Sequence, residues 1–102
     1  MYRQGDVCLK PEGSRPAATP VPRENGRIVL AHGERTGHTH AVVEADARLW
    51  QDEHGVRFLE TGPGGARLRH EEHETIVLPP GLYRVLQQRE FVPEHQPRAV
   101  FD

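Results

Sequence analysis

The residues best suited to chemistry are two histidine pairs, His38-Thr39-His40 with Glu44 four positions on, and His70-Glu71-Glu72-His73. Neutral imidazole is the commonest protein ligand for divalent transition metals, and a carboxylate often completes such a set. In "TGHTHAVVE" a β-strand would place His38, His40, Val42 and Glu44 on one face, with the two histidines roughly 7 Å apart at their backbones. That spacing lets both rings converge on one ion at metal–nitrogen distances of about 2 Å. The second pair behaves differently, because on a straight strand His70 and His73 point to opposite faces. They can share a site only where the chain turns or bulges, so one of the two is expected as a ligand. The expected metal set is therefore His38, His40, His73 or His70, and Glu44, with His32 in reserve.

The ion expected is a single divalent transition metal, zinc first, with iron, manganese and nickel also compatible with nitrogen and oxygen donors. The one cysteine, Cys8, lies outside both pairs, which argues against a thiolate site. "HEEH" lacks the H-E-x-x-H spacing of the helical zinc proteases. Against the metal stand two plainer readings, a histidine-rich surface and a pH-responsive cluster without metal.

The elements that must position these residues are short. Hydrophobic residues make up 35% of the chain and aromatics 6%, while ten glycines and nine prolines punctuate it throughout. No stretch keeps a helical apolar period for three turns. β-like runs recur instead at 5–10, 27–32, 39–44, 47–52, 55–60, 66–70, 75–79 and 82–91. "EHG" (53–55) and "AD" (45–46) are short enough for tight hairpin turns, "TGPGG" (61–65) must be a loop, and "PPG" (79–81) ends one strand and opens the next. The proline-rich stretch 11–25 reads as an excursion across the surface of one domain spanning 1–102. Residues after Phe91 form a short packed turn or a frayed tail. The expected fold is all-β, a small antiparallel barrel, jelly roll or compact sandwich of about eight short strands.

Composition narrows the function classes. A net charge of −2 leaves no basic stripe for nucleic acid. No window approaches a membrane span, the amino terminus has no apolar signal core, and one cysteine excludes a disulfide framework, so a cytoplasmic location is expected. No G-x-S-x-G elbow, phosphate-cradling loop or dinucleotide fingerprint is present. Trp50 and Tyr83 read as core or rim aromatics, Cys8 as a small buried residue and Asp6 as turn chemistry.

"GERTGHTHAVVE" is similar to the first motif of the cupins, in which a glycine precedes H-x-H and a glutamate follows. The resemblance implies that His38, His40 and Glu44 bind a metal from inside a small β-barrel. In the second motif Pro79 and Gly81 match, but Arg84 stands where the last histidine belongs and His73 where the opening glycine does. The pattern "RQGDV", "TGHTH", "HEEH", "LPPGLYRV" and "QREF" also resembles a group of small bacterial and phage-associated proteins of unassigned function. The sequence thus points to a small metal-binding β protein with a binding or regulatory role. The alternatives are a cupin-like metalloenzyme with an open metal position and a metal-free interaction module. No catalytic residue is assigned, a homodimer or protein partner stays open, and any small-molecule ligand is unspecified.

Overall fold

A computed structural model describes residues 1–33 and 37–87. Ten short strands form and no described residue is helical: β1 (Tyr2–Gln4), β2 (Val7–Glu12), β3 (Thr19–Pro20), β4 (Ile28–His32), β5 (Thr39–Val42), β6 (Arg48–Gln51), β7 (Arg57–Glu60), β8 (Ala66–Leu68), β9 (Ile76–Leu78) and β10 (Leu82–Gln87). Every pairing is antiparallel. One sheet runs β1-β2-β10-β7-β6-β3, and two ribbons, β4-β5 and β8-β9, stand apart from it. The sheets do not close into a barrel, so of the architectures expected from sequence the compact sandwich is the one this arrangement fits.

The two-residue side-chain period explains how one core serves both layers. Val7 and Leu9 of β2, Tyr83 and Val85 of β10, Leu59 of β7 and Leu49 of β6 fall on one face of the large sheet. They join Ile28, Leu30, Val42, Leu68 and Leu78 from the ribbons in a single cluster, with Leu9, Leu59 and Leu68 fully buried. Burying each such leucine contributes about 1.5–3 kcal/mol. Tyr2 caps the cluster edge-on to Tyr83, ring centroids 5.8 Å apart. As expected, Tyr83 is a core residue and Cys8 is buried. Trp50 sits at the rim with the Arg15 guanidinium 3.8 Å above its ring.

Eight strands were expected and all eight are present, most trimmed by a residue or two; the stretch of the last beyond Gln87 lies outside the described residues. β1 and β3 are additional. Both are too short to show a period and exist because a partner edge is waiting for them. Pro11 and Glu12 belong to β2 rather than to the excursion. Pro11 pairs with Tyr83 on one side, and β1 has already ended on the other, so a residue without an N–H is tolerated there. The rest of the excursion is tied down by Arg23, whose guanidinium donates to the carbonyls of Gly26, Glu44 and Ala47 at 2.9, 2.6 and 3.0 Å.

The turns divide into two kinds. "EHG" is a true hairpin turn between β6 and β7, with Gly55 at φ 80° and the Asp52 carboxylate accepting from the amides of His54 and Val56. Gly5 (φ 59°) and Asp6 make a similar two-residue turn between β1 and β2, the positive φ falling where a hairpin of this type requires it. "AD" is not a hairpin turn. β5 pairs with β4 and β6 with β7, so the chain crosses there from ribbon to sheet. "PPG" crosses back in the same way, from β9 to β10. In the "TGPGG" loop, Gly65 (φ 72°) lies against the carbonyl of Leu78, and a side chain there would collide with it.

Candidate metal centre

Two backbone hydrogen bonds assemble the site. Ala41 and Arg69 exchange N–H···O bonds at 2.9 Å each, which fastens β5 beside the chain leaving β8. This brings His38 and His40, sharing one face as the two-residue period requires, against His70. The His70 ring centroid lies 5.5 Å from that of His38 and 4.3 Å from that of His40. The chain bends at 71–73, and the amide of Glu72 donates to His70 Nδ1 at 3.0 Å, closing the bend. His73 is thereby turned back to the same cluster, 4.5 Å from His70 and 5.9 Å from His40. The bend therefore brings both rings into one cluster, where a straight strand would have separated them.

Ligand atoms of His38, His70 and Glu71 all lie within 4.8 Å of one another. Bonds of about 2 Å at tetrahedral angles put donors roughly 3.3 Å apart, so small side-chain rotations close the set on an ion. His70 is buried, His38 half-buried and Glu71 exposed, which leaves the site open to solvent on the glutamate side. Glu71 accepts a hydrogen bond from the Thr39 amide at 3.0 Å. That bond, with contributions from its own backbone and from His38 and His70, holds its carboxyl below the usual carboxylate range. Glu71 was not among the ligands expected from spacing; the signal for it was its position beside His70 in a charged run that had to bend.

Around these donors stands a set of orienting groups. The Gln4 side-chain amide donates to the carbonyls of Leu68 and Glu74, both at 2.9 Å, so its oxygen must face His40 and accept from Nδ1–H at 2.8 Å. A neutral His40, almost wholly buried, then carries its lone pair on Nε2, which lies 3.6 Å from Asp6 Oδ1. Glu72 places a carboxylate oxygen 3.0 Å from His38 Nδ1, the contact that in metal sites turns the other ring nitrogen toward the ion. Gln4, Asp6 and Glu72 were not expected as site residues; Glu72 shares the charged run between His70 and His73, while nothing in the local spacing of Gln4 and Asp6 marks them.

The remaining sequence-based candidates lie elsewhere. The Glu44 carboxylate is 3.9 Å from Arg67, beyond the end of β5. His32, the reserve ligand, has Nε2 3.0 Å from Glu24 on the surface. Arg84 pairs across the sheet with Lys10 and Phe58, away from the histidines.

A family profile described as Domain of unknown function (DUF8820) matches residues 3–88. The chain belongs to this family. The match runs from β1 through the histidine cluster to β10, so the hairpin carrying Gln4 and Asp6 and both histidine pairs are parts of the family domain. Comparison with curated proteins and with solved structures gives no match. The domain contains no described helix long and apolar enough to cross a membrane.

Proposed function

We propose that this domain binds one divalent transition-metal ion through His38, His70 and Glu71. His40 and His73 pack against the ligand set, Gln4 orients the His40 ring and Glu72 lies against that of His38. The observation that carries the reading is the approach of three donors from two separate segments to within 4.8 Å. Two imidazoles and a carboxylate suit zinc, iron, manganese or nickel, and zinc binds such donors more tightly than manganese or iron does.

Three protein ligands with one of them exposed leave a coordination position open, whereas a structural site is closed by four. This supports an open-site use over a purely structural one. An open ion polarises a bound carbonyl or lowers the pKa of bound water, which is the chemistry a cupin-like enzyme would need. The cupin assignment itself asks for Glu44, and the position of that residue beside Arg67 favours Glu71 as the carboxylate donor.

The test is elemental analysis by inductively coupled plasma mass spectrometry of the untagged protein, as purified and after incubation with each ion. His38→Ala and Glu71→Gln are measured beside it, and circular dichroism checks the fold. Near one equivalent in the wild type, lost in both variants with the fold intact, is the expected result. Absence of metal from the wild type after every incubation sinks the reading and leaves the metal-free interaction module.

A further inference from the structure

Alternation along β5 gives the histidine strand a second face. Thr39 and Ala41 point away from His38 and His40, and with Val43, Arg27, Arg69, His70 and Glu71 they line an open groove of about 260 Å³. That volume is close to the small end of ligand sites, about 300 Å³. The floor is apolar, and Val43 is 44% exposed although it is a large hydrophobic residue in a chain that buries most of the others. Two guanidiniums flank the floor. Arg27 is held in place by a 3.0 Å hydrogen bond from its Nη1 to Thr39 Oγ1, which leaves its other N–H groups to point elsewhere. The backbone of Arg69 is locked into the bridge to Ala41, while its side chain makes no hydrogen bond or ion pair with the described residues. The one acid lining the groove is Glu71, whose carboxylate is engaged by the Thr39 amide.

The geometry points to a binding site for a small carboxylate carrying a short apolar stem. The stem covers Ala41 and Val43, and the carboxylate is taken by Arg69 and Arg27, whose planar forks match its two oxygens. Charge complementarity selects the ligand class: two cations, one of them anchored by Thr39, face one engaged anion across an apolar floor. The inference goes beyond metal binding and stands without it, since both arginines are present whatever His38 and His70 hold. If Glu71 and His70 do bind an ion at the end of the groove, its charge strengthens the same preference.

The test is ligand-observed NMR titration of pentanoate, with butylamine and inorganic phosphate as controls, against chelator-treated and zinc-incubated wild type and against Arg69→Gln and Arg69→Lys. Metal content is measured on every sample. The Arg69 side chain is not part of the bridge that fastens β5, so both variants are expected to fold, and amide spectra check this. The expected result is saturable pentanoate binding to the chelator-treated wild type, weakened about tenfold or more in Arg69→Gln. Arg69→Lys should recover part of it, and butylamine should not bind. Phosphate binding more tightly than pentanoate would overturn the apolar-stem assignment. No pentanoate binding to the chelator-treated protein, or binding equal in wild type and folded Arg69→Gln, would overturn the site. Binding seen only with zinc and indifferent to Arg69 would place the carboxylate on the ion and overturn it as well. Absence of zinc from every sample would refute zinc binding at His38, His70 and Glu71 and leave this inference to its own result.

Discussion

Two imidazoles in the cluster have their protons assigned by neighbours, and this has consequences at single positions. His70 Nδ1 accepts the Glu72 amide, so a neutral His70 carries its proton on Nε2. An ion taking either nitrogen must displace that arrangement, and metal loading should shift the Glu72 amide resonance strongly. An unmoved Glu72 amide on metal addition would exclude His70 as a ligand. Gln4 is the corresponding device for His40. Replacing it by leucine leaves Nδ1–H and two carbonyls without their partner in a buried setting. A cost of about 2–3 kcal/mol is expected in urea denaturation, and less than about 0.5 kcal/mol would mean that solvent reaches the site. Glu71 provides the pH dependence. Its folded pKa is depressed below 4.5, so its stabilising contribution is present above about pH 4.5 and is lost as pH falls through the lower folded value. Carboxyl NMR should place its midpoint below 4.5, and Glu71→Gln should flatten the acid limb of stability over that window. A Glu71 midpoint at or above 4.5 would contradict the Thr39 contact.

At the scale of elements, sheet and ribbons alike depend on turns that only some residues can make. Gly55 and Gly65 both have positive φ, but a side chain at Gly55 meets open space whereas one at Gly65 meets the Leu78 carbonyl. Gly55→Ala should therefore cost about 1–2 kcal/mol, the left-handed penalty alone. Gly65→Ala must in addition push β8 away from β9, so it should be clearly the more damaging, by several degrees in melting temperature. Equal melting temperatures would show that the β8–β9 ribbon adjusts freely. Because β8 leads directly into Arg69 and His70, the same substitution should also weaken the proposed metal binding, although it touches none of the proposed ligands.

The whole molecule is held by one core that both layers share, and the histidine cluster lies at its margin rather than inside it. Leu59→Ala should cost about 2–5 kcal/mol, because Leu59 is fully buried between the sheet and the ribbons. Losing the histidine ligands should cost far less in the absence of metal. If the ion binds the folded chain alone, saturating zinc at about a hundred times its Kd adds about 2.7 kcal/mol and raises the wild-type melting temperature. The His38→Ala/His70→Ala variant should melt at the same temperature with and without zinc. A zinc-induced rise in that variant would mean that the ion binds elsewhere.

The strands were legible in the sequence because each carries its own alternation and its own stops. Leu49, Leu59, Val7, Leu9 and Val85 announce their inward faces locally, as do the turn residues Gly5 and Gly55. The pairing of His38 with His40 was legible for the same reason, since two residues apart on a strand means one face. Their meeting with His70 was not, because it depends on the Ala41–Arg69 bridge between segments whose backbone groups carry no sequence label. The turn at 71–73 decided that His73 joins His70 and that the Glu71 carboxylate lies within 4.8 Å of ligand atoms of His38 and His70. Gln4 and Asp6 reach the site across more than thirty residues, placed by the β1–β2 hairpin at the end of the large sheet. Sequence by itself determined the period, and hence the faces, of each strand. Only the tertiary structure decided which faces meet, because that follows from non-local hydrogen bonds and from the burial of one shared core.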